Sequence, residues 1–541
     1  MKSLSFPKRI LIRDWRPRRG VLASLCALFL LVWVHPVPGQ TDSGIGLPQL
    51  GDGSELSTSQ ERQIGDRIMR DLYRDPSYLD DPVILDYLEG LWQPLLASAR
   101  KRGELTPEID ERFAWQISLI RDRSVNAFAL PGGYLGVHLG LLATVASRDE
   151  LASVLGHELS HVTQRHIARM LSKNKQQAPL VVAAMVLGAL AASKSADAAN
   201  ALVVGGQALG IQGQLNFSRD MEREADRIGF GVATQAGYQA QGFVDMFDKL
   251  QQAARLNDTG AFPYLRTHPL STERIADMQA RIPMGQASGV TVKGSVTDAF
   301  MAARARVLMS ADAALLTPWQ ALISDRAFGS KPLAQQLGGY YGGALAAMKA
   351  RQMDLARQYL GELKARAALA GAASMDEKAH SYLLWLGAEI DLAAKDLSAD
   401  ALEALSRGLA QHPQAATPKS RAQMLLEAQL ALQLATPQAL RRASQDLQLQ
   451  VMRNTSDALS WQLLSQLHTA MNMPMRALRD AAEAQAAQFN YSAALDRLRA
   501  AQEQSRHLGA AATPAEQIES SIIDTRFRQI STLARSAAQE R

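Results

Sequence analysis

LASVLGHELSHVTQRHIARM, residues 151–170, decides how the rest of the chain is read. Its apolar residues recur at helical spacing, and within it GHELSH (156–161) sets two histidines four apart with a glutamate directly after the first. On an α-helix, positions i and i+4 share a face, so His157 and His161 can converge on one ion. Glu158 then lies beside the first ligand, where its carboxylate can reach an attacking water without itself binding the ion. Two histidines at this spacing also arise by accident in long helices, so the motif needs a third ligand.

A catalytic zinc takes three protein ligands and keeps a further position open. About sixty residues on, SRDMEREADRIGFGVATQAG (218–237) reads as a charged helix ending at a glycine, with Glu222 and Asp226 on one face. Glu222 can complete a His-His-Glu set, and Asp226 can accept a hydrogen bond from the second N–H of a ligand histidine, fixing its tautomer. Alone, these acids would read as a solvated face, since Arg219, Arg223, Glu224 and Arg227 crowd the same helix. Pairing with His157 and His161 favours ligation. His166, nine residues after His157, is expected about 180° round the helix and turned away from the ion. His138 reads as structural, while His380, His412, His468 and His507 have no partner motif.

The surrounding chain reads as a mixed domain. Residues 57–102 suggest two amphipathic helices broken at DPSYLDDP, and FAWQISLIRD and VNAFALPGGYLGVHLGLLAT are strand-like runs around a Pro-Gly-Gly turn. A helical pattern runs from Asp149 to about Lys173. LVVAAMVLGALAA (180–192) and ALVVGGQALGIQG (201–213) are apolar nearly all round but short for a bilayer span. They read as a buried helical hairpin, or else an apolar lid or membrane-facing insert within 174–213.

At the start, seven basic residues precede VLASLCALFLLVWV, and VPG closes the run at Gly39, the order of a secretory signal peptide (1–39) or, if uncleaved, an anchor. The 58 basic and 53 acidic residues of the chain become 58 − 7 = 51 and 53 − 1 = 52 without it, a net charge of −1. The basic balance thus belongs to the leader, and no nucleic-acid partner is expected. Cys26, the single cysteine, would leave as well, so the remainder needs no disulfide in an oxidising compartment. A Gly/Ser-rich segment (40–56) reads as flexible.

A length of 541 residues, with 47% apolar and 21% charged, fits a globular protein of two or three domains. GQASGVTVKGS (285–295) reads as a linker within 284–296, and nearly everything from 297 to 541 is Ala/Leu-rich helix. Trp385, Ala388, Leu392, Ala401, Leu405 and Pro413 follow the large–small template of a tetratricopeptide repeat, as do Trp461, Leu464, Ala477 and Ala484. The irregular spacing leaves a generic helical bundle as the alternative. Either is a binding surface without chemistry of its own.

In chain order, NAFALPGG (126–133), HELSH, EREAD (222–226) and THPLSTER (267–274) resemble the metallopeptidase family that includes HtpX and the CAAX prenyl endopeptidase. With a leader and a helical tail, the resemblance is strongest to the family's BepA-like branch of periplasmic β-barrel assembly-enhancing proteases. It covers residues 57–283 by motif and the tail by architecture. It implies a mostly α fold: a zincin-type α+β metallopeptidase domain followed by an α-helical tetratricopeptide-repeat domain. It implies one Zn²⁺ per chain held by His157, His161 and Glu222, with Glu158 as general base. Asn126, Ala127, Phe128, Pro131, Gly132 and Gly133 would form the edge strand and turn that lay out an extended substrate. His268 would occupy the open metal position and hold the enzyme latent, and Arg274 would help to stabilise the oxyanion. The implied substrates are misfolded or stalled outer-membrane proteins in the periplasm. The repeat domain would contact the β-barrel assembly machinery, with a peripheral membrane contact open. The competing readings are a non-catalytic chaperone or scaffold with a dormant site, and a peptidase anchored by its leader.

Overall fold

The computed structural model describes residues 56–173, 219–255, 264–282, 294–310, 315–371, 374–411 and 419–539. The expected leader, nearly all of segment 40–56, the apolar stretch 174–213 and most of the expected linker lie outside the described residues.

Helices α1 (Thr58–Leu72) and α2 (Pro82–Arg102) come first, with β1 (Tyr78–Leu79) between them. Their starts are written locally: Ser57 and Gln60 form a capping box, and Asp81 caps a helix whose first residue is Pro82. After α3 (Pro107–Arg112) come β2 (Gln116–Ile120), β3 (Ala127–Leu130) and β4 (Tyr134–His138). The strand order is β1-β2-β4-β3; β2 and β4 run parallel, and β3 pairs antiparallel with β4, Phe128 opposite Gly136. β3 is therefore an edge strand. Gly132 and Gly133 turn the chain between β3 and β4 at φ +77° and +82°, and a Cβ on Gly132 would stand 2.7 Å from the Cα of Arg62. Glycine is required because the turn lies directly against α1.

α4 (Leu139–Thr144) leads into α5 (Arg148–Thr163), which Ser147 caps. Every α5 residue from Asp149 to Thr163 is buried, so this helix is the spine of the domain and not an amphipathic surface element. The continuous helix expected to Lys173 is interrupted: Arg165 takes φ +52° and α6 (His166–Lys173) starts afresh. α7 (Arg219–Gln235) and α8 (Gln241–Arg255) both pack on α5. α9 (Tyr264–Thr267) and α10 (Thr272–Ala280) then bring segment 267–274 back to it.

Beyond these elements the described chain is helical to Gln539. α11 (Val296–Met309) packs on α2 and α4, and the Tyr87 hydroxyl donates to Asp298 Oδ1 at 2.7 Å. Buried Arg304 joins Asp81 at 2.8 Å to Glu389, in the helix Glu377–Ala394, at 2.6 Å. One hydrophobic cluster consequently runs from Val83 to Leu430 across the expected boundary at 284–296. Smaller clusters around Leu464 and Leu498 serve the later helices. Apart from Pro413, which lies outside the described residues, the tryptophan patterns fall on neighbouring helices, Glu377–Ala394 with Ala399–Ala410 and Ala458–Ala470 with Pro474–Ala487. The fold class is as expected: mostly helical, with one small sheet ahead of the helical half. No helix among the described residues is long and apolar enough to cross a membrane.

A candidate metal centre

A contact between two glycines builds the centre. A Cβ on Gly229 would lie 2.9 Å from the carbonyl of Gly156 and from the backbone nitrogen of His157. With no side chain at either position, α7 presses backbone to backbone on α5, and the acids of α7 reach the histidines of α5. The Nε2 atoms of His157 and His161 lie 3.0 Å apart, and the Glu222 carboxylate stands 3.5 Å from each of them. His268 closes the group, its Nδ1 3.3 Å from His157 Nε2 and 3.1 Å from Glu222 Oε1. One ligand atom from each of these four buried residues lies within 4.8 Å of all the others.

Asp226 Oδ1 lies 2.9 Å from His157 Nδ1, the ring atom that faces away from the cluster. Arg274 grips the same carboxylate at 2.6 and 2.8 Å, and its Nη1 lies 2.9 Å from Glu222 and donates to the Pro269 carbonyl. Its guanidinium is thus directed at the two acids of α7. Glu158 accepts the Ala129 N–H of the edge strand at 3.0 Å, and its other oxygen lies 3.4 Å from His268 Nε2. The strand is buried here: Ala127, Leu130, Pro131, Gly132 and Gly133 are covered, as is Asn126, whose carbonyl accepts from His138 N. Phe128 is half-buried.

Two side chains that sequence reasoning missed or misplaced support the ligands. Tyr264, buried, stacks on His268 with ring centroids 4.5 Å apart, and the His268 N–H donates to the Tyr264 carbonyl at 2.8 Å. The i, i+4 spacing was the only signal available for it. His166 stays outside the four-residue cluster, as expected, but not by facing the opposite side of the helix. The break at Arg165 swings it back, so that its Nδ1 lies 2.7 Å from His161 Nδ1 and its Nε2 lies 3.0 Å from Glu224. The helical wheel failed because the helix ends at Thr163. His138 is structural, buried beside the Ser124 hydroxyl at 2.9 Å.

The electrostatics ask for a cation. Glu158, Glu222 and Asp226 supply three carboxylates against one guanidinium, that of Arg274, all buried. Burial pushes the Glu158 carboxyl above its ordinary range. Burial acts against a charged His157, yet Asp226 and Glu222 push its imidazole up to about 10. Two imidazoles and a carboxylate that converge in a buried pocket, with further acids beside them, suit a divalent ion of the zinc type.

Residues 105–282 match the model of peptidase family M48, a stretch holding every residue of this centre. The β-barrel assembly-enhancing protease of Escherichia coli is 31% identical over 462 residues, 84% of this chain and 86% of that protein. The chain belongs to this family. A Vibrio cholerae protein named after the same protease is 38% identical over 248 residues, 46% of this chain and 49% of its own length. The yeast mitochondrial metalloendopeptidase OMA1 is 30% identical over 202 residues, 36% of this chain and 55% of that protein. The protein is accordingly a metalloprotease. Its metal would be held by His157, His161 and Glu222, with His268 beside them as a fourth donor.

Proposed function

We propose that the chain is a zinc endopeptidase of the periplasm that acts on misfolded or stalled outer-membrane proteins, and that His268 holds it latent. One observation carries the catalytic part: the Glu158 carboxylate bridges the metal cluster and the edge strand. Its two oxygens face His268 Nε2 and the Ala129 N–H. A substrate strand added along β3 would run its scissile bond past that carboxylate.

A bound zinc ion supplies a polarised carbonyl and a water of lowered pKa. Glu158, raised by burial, takes the proton of the attacking water and passes it to the leaving amine. Asp226 and Arg274 hold His157 in the tautomer that offers Nε2. Oxyanion stabilisation by Arg274 requires the guanidinium to turn from the carboxylates it now grips. The latent part is supported by the ring of His268, which stands where a substrate carbonyl would enter and is backed by Tyr264. The substrate class rests on the names of the relatives, which concern β-barrel assembly. The helical half would dock clients or the assembly machinery, with peripheral membrane contact near 180–213 and no nucleic acid.

Degradation of an unfolded model protein, with zinc present, tests this. Wild type, Glu158→Gln and His268→Ala are compared. The expected order is His268→Ala faster than wild type, and Glu158→Gln inactive. If all three leave the substrate intact while preventing its aggregation, the scaffold reading replaces this one.

A further inference from the structure

The two ligand histidines of α5 are supported in parallel ways. His157 turns its Nδ1 directly to a carboxylate, Asp226, which an arginine, Arg274, also grips. His161 has its Nδ1 2.7 Å from a second imidazole, His166. The far nitrogen of that ring meets Glu224 at 3.0 Å, and Arg169 donates to the same Glu224 oxygen at 2.8 Å. His161 and His166 are fully buried, and Glu224 reaches the half-exposed edge of the network.

The end groups fix the direction of every proton in this row. Glu224, ion-paired with Arg169, accepts, so His166 carries its proton on Nε2. The Nδ1 of His166 is then a lone pair, which can only accept. His161 must donate to it from Nδ1, which leaves His161 Nε2 unprotonated and aimed at the cluster. The wrong tautomer of His161 would place a proton where the ion belongs. The interruption at Arg165 creates this row, because a continuous helix would have carried His166 to the opposite side. Arg165 is itself held by Glu61 of α1, Nε to Oε1 at 2.6 Å.

We infer that His166 and Glu224 are positioning residues for the metal, acting through His161 as a proton-ordered relay that fixes its tautomer and ring orientation. The relay touches neither substrate nor ion. The inference rests on the reading of His161 as a metal ligand. It further implies that the three acids of EREAD divide the work of the centre between them. Glu222 is a ligand, Asp226 supports His157, and Glu224, between them in the chain, supports His161.

The test is zinc affinity of the full chain by chelator competition, with thermal unfolding of the metal-free protein as the folding control. His166→Leu removes the acceptor and should weaken zinc binding roughly 10- to 100-fold. His166→Asn puts an amide oxygen where Nδ1 was, and should restore affinity to within about threefold of wild type. Glu224→Ala, at a half-exposed position, should lose several-fold without loss of fold. Wild-type affinity in His166→Leu, or an equal loss in His166→Asn and His166→Leu, overturns the relay. Unchanged affinity in Glu224→Ala overturns its outer half. Failure of the wild-type chain to bind one zinc ion, or full binding by His161→Ala, would instead remove the metal-ligand reading beneath it.

Discussion

Glu158 accepts the backbone N–H of Ala129 at 3.0 Å, so the proposed base and the strand proposed to receive substrate are hydrogen-bonded to each other. Along an antiparallel pair, backbone groups alternate between the partner strand and the free edge. Ala129 therefore offers its N–H outward, and Glu158 occupies that position. A substrate pairing there must displace the carboxylate. Two inactive variants separate these roles: Glu158→Gln can still accept from Ala129, whereas Glu158→Ala leaves the strand free. An extended peptide should bind Glu158→Ala about fivefold more tightly, one net hydrogen bond, in a fluorescence anisotropy titration. Equal affinities would mean that substrate does not pair at Ala129.

The Gly156–Gly229 contact gives a second expectation. A methyl group on Gly229 would push α7 from α5 and carry Glu222 and Asp226 away from the histidines. Gly229→Ala should cost about 1–3 kcal/mol in denaturant unfolding and also weaken zinc retention. Ala225→Gly, one turn earlier on the same helix, lacks that clash and serves as the control. A Gly229→Ala protein with wild-type stability would show that the helices have room to give.

Arg274 is set against two of the buried carboxylates of the centre, gripping Asp226 at 2.6 and 2.8 Å and lying 2.9 Å from Glu222. Asp226 stays ionised against the cost of burial because Arg274 and His157 hold it low. Removing the guanidinium leaves that buried charge with His157 as its remaining partner. Arg274→Ala should therefore lose about 3 kcal/mol of stability along with activity. Lost turnover with full stability would instead favour a role confined to the oxyanion.

Acid should loosen the junction between the helical half and the first domain. Arg421 pairs with Asp80 near β1 and with Asp457, each at 2.8 Å. Burial opposes ionisation of Asp457, but Arg421 and Ser460 hold it below the ordinary carboxylate range. A depressed folded pKa means stability that is fully present above the unfolded value of about 3.9 and lost as pH falls through the folded one. Asp457→Asn should be less stable than wild type at pH 7, with the gap starting to close only as pH falls below the unfolded value of about 3.9 in urea unfolding curves. A gap independent of pH would locate the effect in helix capping alone, through Ser460.

Much of the centre was legible because its chemistry is short-range along the chain. His157, Glu158 and His161 announce themselves by i, i+4 spacing on one helix, and Glu222 with Asp226 by the same rule on another. The edge strand and its turn were readable from a Pro-Gly-Gly whose glycines take positive φ. His166 was not, because one residue in the left-handed region, Arg165, resets the helical phase, and that conformation is held by Glu61 more than a hundred positions away. Tyr264 was missed for a related reason: its neighbour His268 has meaning only once both are folded onto α5.

By itself, then, the sequence determined the candidate ligands, the helices that carry them and the mostly helical class, since capping, spacing and periodicity act over a few residues. Only the tertiary structure decided which acid serves which histidine, that Glu158 faces both the cluster and Ala129, and that one core spans the expected boundary. Those outcomes depend on how closely two backbones approach and on which buried charges find partners, and both are settled by packing between segments far apart in the chain.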